Sequence, residues 1–162
     1  MAQRQPQSQT AIPGNWLSLL FFLILTVGGG LGIGLFTLPG EWYMSLVKPS
    51  FNPPNWIFGP VWTALYVMIG VAGWRIYLKE PSGAALKIWW AALALNFIWS
   101  PTFFGAQQLG VALVIILALL ASILAFIVTS RSVDRPASLL FIPYAAWVGF
   151  ATLLNGSLFA LN

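Results

Sequence analysis

The sequence predicts an all-α membrane protein, a bundle of five transmembrane helices. Of its 162 residues, 59% are hydrophobic and only 6% are charged, against about 25% charged in an ordinary soluble domain. A chain this short keeps much of its surface exposed when folded, so water cannot be the solvent for so many apolar side chains. Those side chains fall into five stretches, each near the roughly 20 residues that cross a bilayer.

The elements follow in order. Residues 1–15, rich in Gln, Pro and Ser, read as a disordered N-terminal tail. Arg4 alone is a poor basic region for a secretory signal, and the next apolar run is too long for a signal core, so an uncleaved first helix is expected. The membrane domain is residues 16–162, with spans at about 16–37, 56–78, 84–104, 107–129 and 137–160. Pro39 and Gly40 end the first span. The capping loop, 38–55, holds Pro39, Pro49, Pro53 and Pro54; proline removes a donor and fixes φ, so no regular helix is expected there. Lys79 to Gly83 separates the second and third spans, Gly105 to Gln108 makes a tight uncharged turn, and Ser130 to Pro136 carries three charges.

Orientation comes from the basic residues. With five spans, Arg4, Arg75, Lys79, Lys87, Arg131 and Arg135 share one face, and only Lys48 lies on the other. This bias puts the N-terminus inside and the C-terminus and the proline-rich loop outside. The net charge of +4 is too small and too scattered for a nucleic-acid surface. There is no cysteine and no histidine, which removes disulfides and the commonest general base and metal ligand.

Nine tryptophans are many for this length. Trp16, Trp74, Tyr77, Trp89 and Trp90 lie near the inner ends of their spans and suit interfacial anchoring. Trp62, Trp99 and Trp147 lie deeper. Helical spacing aligns Trp62, Tyr66 and Ile69 on the second span. It aligns Leu93, Asn96, Trp99 and Phe103 on the third, and Tyr144, Trp147, Ala151, Leu154 and Asn155 on the fifth. At about 1.5 Å per residue, Trp62, Asn96, Trp99 and Ala151 fall roughly 8–14 Å below the outer surface, with Trp147 deeper. Two readings stand: ordinary packing of large side chains, or one aromatic cavity under the loop, suited to a flat hydrophobic ligand. Asn96 and Asn155 admit the same division. An amide in a membrane either bonds a neighbouring helix or meets a ligand carbonyl or carboxylate. Gly28 with Gly32, and Gly30 with Gly34, have the small-xxx-small spacing of a close helix contact, within the chain or in a homodimer.

The motifs Glu41-Trp42-Tyr43, Asn52-Pro53-Pro54-Asn55-Trp56, Gly59-Pro60-Val61-Trp62, Leu65-Tyr66, Ala94-Leu95-Asn96-Phe97-Ile98-Trp99, Pro143-Tyr144-Ala145-Ala146-Trp147 and Phe150-Ala151-Thr152-Leu153-Leu154-Asn155 occur in one order. In that order and spacing the chain resembles the translocator protein/tryptophan-rich sensory protein (TspO) family. The resemblance implies a five-helix bundle whose pocket is capped by the first loop. It implies porphyrins such as protoporphyrin IX, and other hydrophobic small molecules, as ligands. By position, Trp62, Asn96, Trp99, Trp147, Ala151 and Leu154 match the family's pocket residues, and Trp42 and Tyr43 its pocket mouth. The tyrosine-and-basic-residue pattern that ends some animal members is missing after Asn155, so C-terminal sterol recognition is not expected. No obligatory cofactor is expected, and without His or Cys a metal-free porphyrin suits the chain.

A membrane receptor or sensor for porphyrins, with a part in their transport or regulation, is the leading reading. A light-dependent porphyrin-degrading enzyme is the alternative; no triad, carboxylate pair or metal cluster supports a hydrolytic one. A secondary transporter is the third, disfavoured by the lack of a charged residue in mid-membrane.

Overall fold

The structure, a computed structural model, describes residues 15–162. The predicted tail, apart from Asn15, lies outside the described residues, as does Arg4. Helix α1 is Asn15–Phe36 and is interrupted by a π-helical turn at Ile24–Gly28. Helix α2 is the short segment Glu41–Ser45. Helix α3, Asn55–Lys79, opens with a 3-10 turn at Asn55–Ile57. Helix α4 is Ala84–Ser100 and runs on as a π turn, Pro101–Gly105. Helices α5 and α6 are Leu109–Ser130 and Arg135–Leu161.

Four of these, α1, α3, α5 and α6, are long and apolar enough to cross a membrane. The expectation of five spans is therefore met in part. Helix α4 has 17 residues of α-helix, short of the roughly 20 that span a bilayer. Pro101 has no N–H for the usual backbone bond, and the ladder widens there: Ala106 N–H bonds to Pro101 O at 2.8 Å. The loop also differs from expectation. Its prolines stand at 39, 49, 53 and 54, which leaves 41–45 free to form α2, with Glu41 in the first turn where the helix dipole favours an anion. In the turn between α4 and α5 the left-handed residue is Gln107, φ 58°, rather than a glycine.

Around the bundle, α1 packs on α3, α3 on α6, α6 on α5 and α5 on α4; the second half of α1 closes the ring against α4. Trp89 corrects the interfacial reading. It is fully buried and donates from Nε1 to Ile69 O at 2.9 Å. A Cβ at Gly73 would collide with its ring, so the missing side chain on α3 makes room for the indole. Trp16, Tyr77 and Trp90 are exposed. Trp74 donates to Asn15 O and Ser18 Oγ, each at 3.1 Å. Of the α1 glycines, Gly30 makes a close contact, because Tyr66 occupies the space its Cβ would need, while Gly32 and Gly34 face open space.

The two ends of the bundle are fastened differently. At the Asn15 end, Asp134 caps α6 by accepting from Ala137 N–H at 2.9 Å. It also accepts from Arg75 Nε at 3.0 Å and pairs with Lys79 Nζ at 2.7 Å. Burial resists ionisation, but the hydrogen bonds from Arg75 and Lys79 prevail and hold the Asp134 carboxyl down at about 2. At the other end the Asn162 amide clasps the loop: Val47 N–H donates to Asn162 Oδ1 at 2.9 Å, and Asn162 Nδ2 donates back to Val47 O at 3.1 Å. Phe51 meets Phe150 edge-on with ring centroids 6.3 Å apart, within the range of about 4.5–7 Å for aromatic pairs.

Candidate ligand chamber

A chamber of about 540 Å³ lies between the second half of α1, the start of α3, the end of α4 and the loop. Its size falls within the range of small-molecule sites. Among the described residues, no charged side chain lines it.

Two aromatic rings on α3 form one wall. Trp62 and Tyr66, one turn apart, stack with centroids 5.5 Å apart at 28°. Tyr66 reaches its place because Gly30 on α1 has no side chain. Its hydroxyl donates to Asn96 Oδ1 at 2.9 Å, and Asn96 Nδ2 donates to Tyr144 Oη at 2.8 Å. The buried Asn96 amide thus ties α3, α4 and α6 together. Both readings of Asn96 meet here, since it bridges helices and lines the chamber. Asn155 is an interhelical link: it accepts from Trp99 Nε1 at 3.3 Å and donates to Leu109 O at 3.0 Å.

Trp99 lines the chamber from α4. Near it, Thr37 Oγ1 and Ser100 Oγ lie 2.7 Å apart. Thr37 also donates to Ile33 O at 2.8 Å. With that proton committed, Ser100 is left as the donor within the pair, and its lone pairs remain available.

The α6 residues stand apart. Trp147, Ala151 and Leu154 line a smaller void of about 30 Å³. Five aromatic side chains, Tyr43, Phe58, Trp62, Trp99 and Phe104, line both spaces. Trp147 Nε1 is buried and has no hydrogen-bond partner among the described residues. Tyr43, from α2, is buried and donates to Asn52 Oδ1 at 3.1 Å; burial pushes its phenol pKa up. Trp42 packs edge-on against Phe103 at 6.1 Å and lines neither space.

Sequence reasoning brought Trp62, Tyr66, Asn96 and Trp99 to one place, and the structure sets them around the chamber. It did not find the α1 wall, Gly30 to Thr37, nor Ser100. The available signal was the run of α1 glycines, whose spacing equally describes a helix contact.

The family model described as TspO/MBR family matches residues 21–161. The chain belongs to that family. Among its TspO/MBR relatives, the "Tryptophan-rich protein TspO" of Chlorobaculum tepidum is 40% identical over 90% of this chain and 95% of its own length. The "Tryptophan-rich sensory protein" of Cereibacter sphaeroides is 36% identical, covering 91% and 93%. The "Translocator protein" of Ovis aries is 38% identical, covering 86% and 87%. Membership of the TspO/MBR family together with four long apolar helices makes the chain an integral membrane protein.

Proposed function

We propose that this protein is a five-span membrane receptor or sensor that binds porphyrins, protoporphyrin IX among them, and similar flat hydrophobic molecules in the chamber. The observation that carries the reading is the chamber itself: about 540 Å³, uncharged, and walled by Trp62, Tyr66, Asn96 and Trp99. Stacking on aromatic faces and burial of apolar area supply affinity there, while the Asn96 amide and the Ser100 hydroxyl supply polar contacts. Binding uses no obligatory cofactor. Relatives named sensory protein and translocator protein support a receptor role.

The fifth span is α4 with its π turn, over residues 84–105. An odd count is supported by the termini of the described chain. Asn15 bonds to Trp74 at one end, and Asn162 bonds to Val47 at the other. The excess of Lys and Arg at the Asn15 end makes that face the inside.

Titration of the purified protein in mild detergent with protoporphyrin IX, read by quenching of tryptophan fluorescence, tests the proposal. Saturable, one-to-one quenching that Trp62→Ala weakens at least tenfold is expected. Quenching that is non-saturable, or the same in wild type and variant, rejects the chamber as the site.

A further inference from the structure

Four side-chain hydroxyls line the chamber, and each has its one proton committed to the protein. Tyr43 donates to Asn52 Oδ1 at 3.1 Å and Tyr66 to Asn96 Oδ1 at 2.9 Å. Thr37 donates to Ile33 O at 2.8 Å, which leaves Ser100 to donate to Thr37 across 2.7 Å. We infer that the Thr37–Ser100 pair is an acceptor subsite, and that it selects flat ligands carrying an N–H or O–H group over isosteres that carry an acceptor in its place. The inference rests on the reading of the chamber as a ligand site and adds to it the chemistry of one edge of the ligand.

The pair is built unlike the other hydroxyls of the bundle. Thr63, Thr102, Ser122 and Thr152 each donate to the carbonyl four residues back, the usual local bond of a hydroxyl on a helix. Ser100 instead spends its proton across the seam between helices, from the last residue of α4 to Thr37, which follows the last residue of α1. A hydroxyl has one proton and two lone pairs. Among the described residues nothing donates to Ser100 Oγ, so both of its lone pairs are free. The approach is open as well. Gly34 lies about one turn before Thr37 on α1, lines the chamber, and has nothing within 4 Å of where its Cβ would be.

A ligand N–H or O–H set against Ser100 Oγ completes a chain from ligand to Ser100, to Thr37, to Ile33 O, in which every proton has an acceptor. A ligand acceptor in the same position meets lone pairs. It finds a donor only if Ser100 turns its proton away from Thr37, which breaks the bond between α4 and the end of α1. A site with this complementarity rejects the mismatched analogue because polar groups are left unpaired out of water.

Carbazole, fluorene and dibenzofuran share one tricyclic shape and differ at the bridging group, which is an N–H donor, a CH₂ or an oxygen acceptor. Their binding to the full-length protein in lipid nanodiscs is measured by equilibrium dialysis, with empty nanodiscs subtracted, for wild type, Ser100→Ala and Ser100→Cys. Wild type should bind carbazole about fivefold or more tighter than dibenzofuran. In Ser100→Ala carbazole should fall to within twofold of fluorene, while fluorene keeps its wild-type affinity; a merely structural role for Ser100 would move all three ligands alike. Ser100→Cys keeps most of the bulk but is a poor acceptor, so it should show the same loss and reports if Ser100→Ala misfolds by circular dichroism. Equal affinity for carbazole and dibenzofuran in wild type, or a preference that survives both variants, overturns the subsite. Binding of protoporphyrin IX with none of the three tricyclics retained also overturns the subsite and leaves the receptor reading standing. Failure of protoporphyrin IX to bind as well overturns the receptor reading.

Discussion

Gly34 offers a perturbation whose effects on stability and on binding should have opposite signs. It lies one turn beyond Gly30 on α1, and residues four apart share a helix face. At Gly30 that face meets Tyr66; at Gly34 a Cβ would meet nothing within 4 Å. Gly34 lines the chamber, so the side chain of Gly34→Leu projects into ligand space rather than into protein. In the empty protein the change removes a helix-interior glycine, worth about 0.5–1 kcal/mol of added helix stability. With ligand present, the same four carbons overpack the site at a cost of about 1–3 kcal/mol. At 1.4 kcal/mol per decade, affinity for protoporphyrin IX should fall roughly 5- to 150-fold. Thermal unfolding followed by circular dichroism in detergent should show a melting temperature equal to or above wild type, and fluorescence quenching should show the loss of affinity. The neighbouring Gly30→Leu, which must expel Tyr66, should instead lower the melting temperature. Wild-type affinity in Gly34→Leu would refute the claim that α1 walls the site.

Asp134 has a folded pKa of about 2, below its ordinary 3.8, so it stabilises the fold above about pH 4 and loses that effect as the pH falls toward 2. The contribution is about 2 kcal/mol, and Asp134→Asn should be less stable than wild type at pH 7 by that amount, with the difference closing at pH 2. Melting curves across that range check it; a constant difference would show that ionisation is not the cause. Asn96→Leu leaves the hydroxyls of Tyr66 and Tyr144 without their shared amide, and should destabilise by about 1–3 kcal/mol, less if the hydroxyls find new partners in lipid; an unchanged melting temperature counts against the three-helix link. Single cysteines at Ser45 and Ser132, both exposed, should be labelled by an impermeant maleimide from opposite sides of sealed vesicles; labelling from one side would contradict the five-span arrangement.

The positions of the long helices were legible in the sequence because lipid allows only a few solutions for an apolar chain. Apolar length locates the spans, and proline and glycine mark their ends. Chamber residues on α3 and α4 were legible for a similar reason: Trp62, Tyr66, Asn96 and Trp99 are large or polar groups repeated at helical spacing. The α1 wall was not, since a glycine reads the same whether a ring fills the space beside it, as at Gly30, or nothing does, as at Gly34. Nor does periodicity distinguish a tryptophan at the interface from one in the core. Trp89 and Trp90 are adjacent in sequence, yet one is fully buried and the other is 42% exposed; the difference lies in Gly73, on another helix. The division between chamber and α6 void depends on the angles of rings such as Trp62 and Trp99, which spacing along a helix does not encode.

The clasp between Asn162 and Val47 has a consequence for biosynthesis. Its two partners are 115 residues apart, so the loop is translated long before its fastening exists. While the helices that follow are made, the loop over the chamber mouth lacks its two bonds to Asn162. Contacts this distant bear the full cost of chain closure and form late. The loop at the chamber mouth is therefore among the last parts of the molecule to be fastened.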